Sequence, residues 1–146
     1  MLDANKALVR RYFDAVRAAD LAELEAVLDP EVRVWLPGVG ELPGLVLEGR
    51  RPVLDDVEAT LRELYDRMEP EILSLTAEED RVAAEMRMRG RVVRTGGRYE
   101  NHYFFLFWIR DGRIVRIHEH LDTQRAARTL IEPSGFEKLP WLEGGE

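Results

Sequence analysis

The period of the hydrophobic residues changes near the middle of this chain, and that change restricts the fold more than any other feature. In the first half, apolar residues recur every three or four positions, which predicts helices over residues 3–16, 21–28 and 52–69. Between the second and third helices, the pattern predicts a strand at 31–36 and a Gly- and Pro-rich loop at 37–49. After the third helix, apolar and polar residues alternate, which predicts strands over 72–76, 82–92, 99–109 and 113–122. This order predicts an α+β fold, with three helices from the N-terminal half packed on one face of a curved antiparallel sheet.

Composition limits the class of protein. The 146 residues suit one domain with a sizeable core, and we place that domain at residues 1–131, followed by a C-terminal tail at 132–146. The net charge of -7 argues against nucleic acid or an anionic membrane as a partner. The absence of cysteine excludes disulfides and thiolate metal sites. With no signal peptide and no apolar run of membrane length, we expect a cytoplasmic protein.

Glu119 is the one charged residue in an otherwise apolar row of the last strand, where it alternates with Val115, Ile117 and Leu121. A carboxylate that faces a core is costly unless it has partners or a shifted pKa. The pattern is typical of a general acid–base site, although a structural carboxylate bonded to a tyrosine or an arginine would look the same.

Two hairpins predict which face Glu119 occupies. A two-residue Gly96-Gly97 loop would place Met88 opposite Phe105, and a three-residue loop ending at Gly112 would place Tyr103 opposite Glu119. A two-residue Asp111-Gly112 loop is the alternative and would pair apolar with polar residues, so we favour the three-residue loop. One face of the sheet then collects the predicted core residues Met86, Met88, Val92, Asn101, Tyr103, Phe105, Phe107, Val115, Ile117, Glu119 and Leu121.

Several stretches resemble the SnoaL-like branch of the superfamily that includes nuclear transport factor 2, ketosteroid isomerase, the polyketide cyclases and limonene-epoxide hydrolase. They are residues 8–16, 20–21, 29–32, 101–103 and 111–123, and the resemblance runs from residue 5 to about residue 130. It implies a cone-shaped (NTF2-like, cystatin-like) domain with a pocket closed by the sheet, commonly as a homodimer. It also implies a cofactor-independent isomerase, cyclase or hydrolase.

The catalytic positions of these relatives transfer unevenly. The resemblance places Glu119 at the catalytic acid of SnoaL-type cyclases and Tyr12 at the oxyanion-hole tyrosine of ketosteroid isomerase. The isomerase base corresponds to Leu36, and two members of the epoxide-hydrolase triad correspond to Met86 and Met88. The sequence therefore does not match either of these two activities in full.

The candidate catalytic residues are Glu119, as general base or acid, with Tyr103 and Tyr12 as donors to a substrate oxygen. Tyr12 is also compatible with plain core packing, and Tyr103 with a hydrogen-bonded core pair. The candidate ligand-binding residues are Asn101, Trp35, Leu36, Met86, Met88 and Phe105. The expected partner is a small hydrophobic carbonyl or hydroxyl compound. No cofactor and no metal are expected. The alternative is a non-catalytic module that binds an apolar ligand in the same pocket.

The opposite face of the sheet carries His102, His118 and His120, and the predicted register pairs His102 with His120. Such a cluster could bind a divalent metal, which is a less favoured alternative. The same face carries Phe104, Leu106 and Trp108, too much apolar surface to leave in water. We therefore expect a homodimer through this outer face.

Overall fold

A computed structural model describes residues 1–131; for residues 63–65 and 131 it describes the backbone only. The expected C-terminal tail, residues 132–146, lies outside the described residues. The elements are α1 (Leu2–Ala18), α2 (Leu21–Val27), β1 (Leu28–Leu36), β2 (Leu45–Glu48), α3 (Arg50–Ala59) with a π-helical turn (Thr60–Leu64), β3 (Tyr65–Glu78), β4 (Arg81–Val92), β5 (Arg98–Arg110), β6 (Arg113–Leu121) and α4 (Thr123–Ala126) with a π-helical turn (Ala127–Ile131). Across this described part, no helix has the length and apolar character needed to cross a bilayer.

The six strands form one open, curved sheet in the order β2-β1-β6-β5-β4-β3, with helices packed against it. The predicted α+β class is confirmed. The sheet is mixed rather than wholly antiparallel, because β1 runs parallel to β6. A long connection through β2, α3 and three further strands separates β1 from β6, so no hairpin restricts their relative direction.

Two element boundaries differ from the sequence prediction. The third helix ends near residue 64 instead of continuing to residue 69, and β3 begins at Tyr65. The reason is that β3 pairs along nearly the whole of β4, and these inter-strand hydrogen bonds outweigh the local helical spacing. Pro70 is tolerated within β3 because β3 is an edge strand. The predicted loop at 37–49 contains β2, which pairs with β1.

The core lies between the sheet and the helices, and α1 is held there by aromatic contacts. Phe13 is 2% exposed and meets Phe105 and Phe107 edge-on, with ring centroids 5.1 and 5.7 Å apart. Tyr12 meets Phe107 at 5.4 Å. Such pairs contribute about 1 kcal/mol each beyond the burial of their area. This packing fixes the side of α1 that carries Tyr12 against the sheet.

Both predicted hairpin registers are wrong, yet both preserve the predicted face. The β4–β5 loop is longer than two residues, so Met88 pairs with Asn101 and Met86 with Tyr103. The β5–β6 loop is the two-residue Asp111-Gly112 turn, with φ of 52° and 72°. These positive φ values are those of the turn that Asp-Gly favours.

A bulge in β6 returns the following side chains to their predicted faces of the sheet, which the two-residue turn alone would have exchanged. Trp108 pairs with Arg116 and Ile109 with Ile114, so Val115 is the extra residue. Ile114 is buried in the core in place of the predicted Val115, which is half-buried. Beyond the bulge Phe105 lies opposite Glu119, and Tyr103 lies opposite Leu121. Glu119 therefore reaches the core face as predicted, with a different cross-strand partner.

Candidate active site

A cavity of about 290 Å³ lies between the core face of the sheet and the helices. Its size is at the lower end of the range for small-molecule sites. Its apolar wall consists of Phe13, Val16, Leu36, Pro37, Val39, Leu42, Pro43, Leu45, Val57, Leu61, Met68, Met88, Phe105, Leu121, Ala126 and Leu130. Among the described residues, the polar side chains at the cavity are Tyr12, Asp56, Thr60, Tyr103 and Glu119. Two carboxylic acids thus share a space that is otherwise apolar or hydroxylic.

Glu119 reaches this cavity from β6 and keeps part of its surface open to it. No hydrogen bond or ion pair to its carboxylate occurs within residues 1–131 as described. Burial, and secondarily the negative charge of Asp56, raises the pKa of Glu119 from 4.5 to about 7. The carboxyl group therefore exchanges its proton near neutral pH, where an acid–base catalyst is most effective.

Asp56 is the second acid of the cavity, and the sequence analysis missed it. It lies on α3, three residues after the buried Val53 and next to Val57, which also borders the cavity. The preceding acid, Asp55, is exposed and pairs with Arg51 at 2.9 Å. The position of Asp56 within the Val53 and Val57 stripe was the available signal, because residues three apart share a helix face.

The two acids influence each other's ionisation. Burial raises the pKa of Asp56, whereas the pKa of Glu119 is raised first by burial and then by the negative charge of Asp56. The two carboxyl groups therefore titrate as a coupled pair, in which a charge on Asp56 opposes the ionisation of Glu119.

Tyr12 presents a phenol to the same cavity from α1. It is 7% exposed, and its hydroxyl has no hydrogen-bond partner among the described residues. Burial and the charges of Glu119 and Asp56 raise the pKa of Tyr12 above its ordinary value. The phenol thus stays protonated over the physiological range and is available as a hydrogen-bond donor.

Tyr103 borders the cavity and is held from behind by a buried hydrogen-bond chain. Its hydroxyl lies 2.7 Å from the hydroxyl of Tyr99. Asn101 Nδ2 donates to the Tyr99 hydroxyl at 2.8 Å and to the Asp122 carbonyl oxygen at 2.9 Å. Asn101, expected as a ligand contact, is 3% exposed and does not border this cavity; its amide supports the Tyr99 hydroxyl, which in turn meets that of Tyr103.

The remaining predicted ligand residues divide into two groups. Leu36, Met88 and Phe105 line the cavity, as expected. Met86 is fully buried in the core and does not border the cavity. Trp35 lies on the other face of the sheet, its ring 5.1 Å from that of His120, because strand alternation directs the adjacent Val34 into the core. Met86 and Trp35 therefore lie apart from this cavity.

The three histidines of the outer face do not form a metal site. Phe104, rather than His102, pairs with His120. His102 Nε2 lies 3.0 Å from the Glu85 carboxylate, whereas His118 packs against Trp108 with ring centroids 4.8 Å apart. Over the described part of the chain, no three His, Cys, Asp or Glu side chains come together in a group that could hold a metal ion. The metal-binding alternative therefore has no geometric support.

An open, curved sheet with helices across one face and a small-molecule cavity between them is the architecture of the NTF2-like class of proteins. Solved structures of this class are similar over most of their length. An NTF2-like protein from Burkholderia xenovorans is 23% identical, with a TM-score of 0.74 over 89% of this chain and 98% of that one. IdmH from Streptomyces antibioticus, a candidate polyketide cyclase, is 24% identical, with a TM-score of 0.72 over 84% and 96%. An epoxide hydrolase of the LEH-like type from M. tuberculosis is 17% identical, with a TM-score of 0.68 over 83% and 84%.

The family model for the SnoaL-like domain matches residues 9–117 of this chain. The chain therefore belongs to the SnoaL-like family, and the resemblance inferred from the sequence is confirmed. No curated protein sequence matches it significantly. At these identities the structural neighbours establish the fold, and the reaction must be argued from the cavity itself.

Proposed function

We propose that this protein is a cofactor-independent acid–base enzyme that acts on a small hydrophobic carbonyl or hydroxyl compound, with Glu119 as the group that moves the proton. The observation that carries the proposal is the Glu119 carboxyl group itself, which borders an apolar cavity of small-molecule size and has no hydrogen-bond or ion-pair partner among the described residues. Its burial raises its pKa to about 7, so it can serve as a base or as an acid near neutral pH.

The cavity supplies the other groups that such a proton transfer needs. Glu119 would take a proton from the carbon next to a carbonyl, and the electrons would move onto the carbonyl oxygen. The Tyr12 phenol and Tyr103, whose hydroxyl is 2.7 Å from that of Tyr99, border the same cavity and would donate hydrogen bonds to that oxygen. Return of the proton from Glu119 to another carbon would complete an isomerisation. For a cyclisation, the carbanion would form a C–C bond with a second carbonyl of the same molecule, and the resulting alkoxide would take the proton back from Glu119.

A binding module for an apolar ligand is the competing function. The presence of Leu36 at the position of the isomerase base favours this alternative, because it removes an expected second acid. The presence of Asp56 weakens that argument, because the cavity does hold a second acid, contributed by α3. A module that only binds apolar ligands would gain nothing from two desolvated carboxyl groups, which cost folding free energy.

A direct test uses 5-nitrobenzisoxazole as a general probe for a desolvated base. A base removes its ring C–H proton while the N–O bond breaks, and the coloured phenolate product is followed by absorbance. We expect turnover that rises with pH around a midpoint of about 7 and disappears in Glu119→Gln. The matched control is Glu58→Gln, which changes an exposed acid on α3 and should leave the rate unchanged. Equal rates in wild type and Glu119→Gln would refute the assignment of Glu119.

We also propose that the chain forms a homodimer through the outer face of the sheet. Phe104 is 51% exposed there, and Leu106, Trp108 and Trp35 are half-buried around it. Exposed and half-buried apolar side chains grouped on one sheet face mark interaction surfaces. The cytoplasmic location expected from the sequence stays a prediction.

A further inference from the structure

The charge of the cavity wall selects among hydrophobic ligands. The described wall holds two carboxyl groups, from Asp56 and Glu119, and no lysine, arginine or histidine. An anionic ligand, such as a carboxylate or a phosphate ester, would meet like charge with no compensating cation. A ligand that carries a positive charge would instead find two acidic groups within an otherwise apolar wall.

The Tyr12 hydroxyl is a second, independent indication of a ligand. The side chain is more than nine-tenths buried, borders the cavity and has no hydrogen-bond partner among the described residues. No fully enclosed side-chain nitrogen or oxygen within the described residues lacks a partner, so this hydroxyl must open on the cavity. A buried polar group of this kind is normally matched by water or by a ligand.

We propose that the cavity takes hydrophobic amines, bound as ammonium ions, with the charged nitrogen between Asp56 and Glu119 and the hydrocarbon against the aromatic wall of Phe13 and Phe105. A primary ammonium has three N–H donors, and Asp56, Glu119 and the Tyr12 oxygen offer three acceptors around one space. The ring of Tyr12 adds an electron-rich surface for a cation.

The two acids have separate tasks in this proposal. Asp56, on α3, would hold the ammonium, and Glu119, on β6, would also accept or donate the proton of the reaction. The substrate class is thereby narrowed to hydrophobic compounds that carry an amino group, such as amino ketones. This inference rests on the proposed function for its substrate, although the preference for a cation can be measured without turnover.

The test uses three ligands with one hydrocarbon body: naphthylethylamine, naphthylethanol and naphthylpropanoate. Binding is measured by calorimetry at about pH 8, where the amine is still protonated. We expect the amine to bind roughly tenfold more tightly than the alcohol, and the carboxylate to bind more weakly than either. Asp56→Asn should remove most of the preference for the amine while changing the affinity for the alcohol by no more than about twofold.

Two further measurements give the result its meaning. Asp55→Asn, the matched control one residue away on the exposed side of α3, should keep the full preference. Lowering the pH to about 6 should weaken amine binding in the wild type, as Glu119 gains its proton, and not in Glu119→Gln.

Equal affinity for amine and alcohol, or a preference that survives Asp56→Asn, would overturn the inference. If the benzisoxazole probe is turned over through Glu119 but no amine preference exists, the proposed enzyme function stands and the amine class is wrong. An amine preference without turnover supports the amine class and refutes the enzyme function.

Discussion

Replacing Glu119 with glutamine should stabilise the folded protein at alkaline pH, because the ionised carboxylate is unfavourable in its cavity. The pKa of this group is about 7 in the folded protein, against an ordinary value of 4.5 in an unfolded chain. Below pH 4.5 both states hold the proton, and the group costs nothing. Between these two pKa values only the folded state keeps the proton, so stability falls by about 1.4 kcal/mol per pH unit.

The full cost is reached above pH 7 and amounts to about 3 kcal/mol, obtained from the difference between pKa values of about 7 and 4.5. This is an upper bound, since the part of Glu119 that faces the cavity can be hydrated. Glutamine has nearly the same shape and no charge, so Glu119→Gln should remove the pH-dependent cost. For a domain of this size, about 3 kcal/mol corresponds to roughly 6–12 °C in Tm.

The measurement is urea denaturation of wild type and Glu119→Gln at several pH values from about 5 to about 8. At each pH, the free energy of unfolding of the wild type is subtracted from that of Glu119→Gln. The change of this difference with pH reports on the carboxyl group alone, because the packing effect of the amide is the same at every pH. Glu58→Gln, an exposed acid on α3, is the control and should follow the wild type at every pH. A difference between wild type and Glu119→Gln that stays constant across this range would refute the claim that Glu119 is desolvated.

Two further predictions concern the second acid and the outer face. Asp56→Asn should lower the pKa of Glu119 without returning it to 4.5, because burial is the larger cause of the shift. The measurement is an NMR titration of the Glu119 carboxyl carbon. Asp55→Asn is the control and should leave the pKa of Glu119 unchanged. Phe104→Arg should convert the proposed dimer to a monomer in light scattering while the far-UV circular dichroism stays the same. The exposed Leu2, at the start of α1, supplies the control Leu2→Arg, and a wild-type monomer would contradict the proposal.

The sequence was sufficient to place Glu119 on the core face because that inference depends on parity alone. Met88 pairs with Asn101 instead of Phe105, a shift of four residues, and Phe105 replaces Tyr103 opposite Glu119, a shift of two. Even shifts leave the side chains beyond the bulge on their predicted faces, whereas a shift of one would have turned Glu119 outward. The Val115 bulge supplies the one residue that makes the second shift even, and nothing in the local pattern marks that residue as extra.

The residues that surround Glu119 could not be predicted in the same way, because contacts between elements distant in the sequence bring them together. Asn101 was expected to contact a ligand, and in the folded protein its amide instead donates to the Tyr99 hydroxyl. Asp56 lies 63 positions earlier in the chain, on a helix whose approach to the sheet is decided by packing. Its effect on the pKa of Glu119 exists only after that packing is complete.

The two acids therefore impose different requirements on the fold. Glu119 needs only strand alternation to face the cavity, so many sequences that keep the pattern of β6 would keep the acid there. Asp56 needs α3 in one particular rotation, and the buried Val53 and Leu54 provide it by packing one side of the helix into the core. A substitution that changes this packing, such as Val53→Ala, would move Asp56 and thereby alter the titration of Glu119 without touching either carboxyl group. The pKa of Glu119 thus depends on how the N-terminal helices pack, because that packing determines the position of Asp56. Without it, the two carboxyl groups would titrate independently.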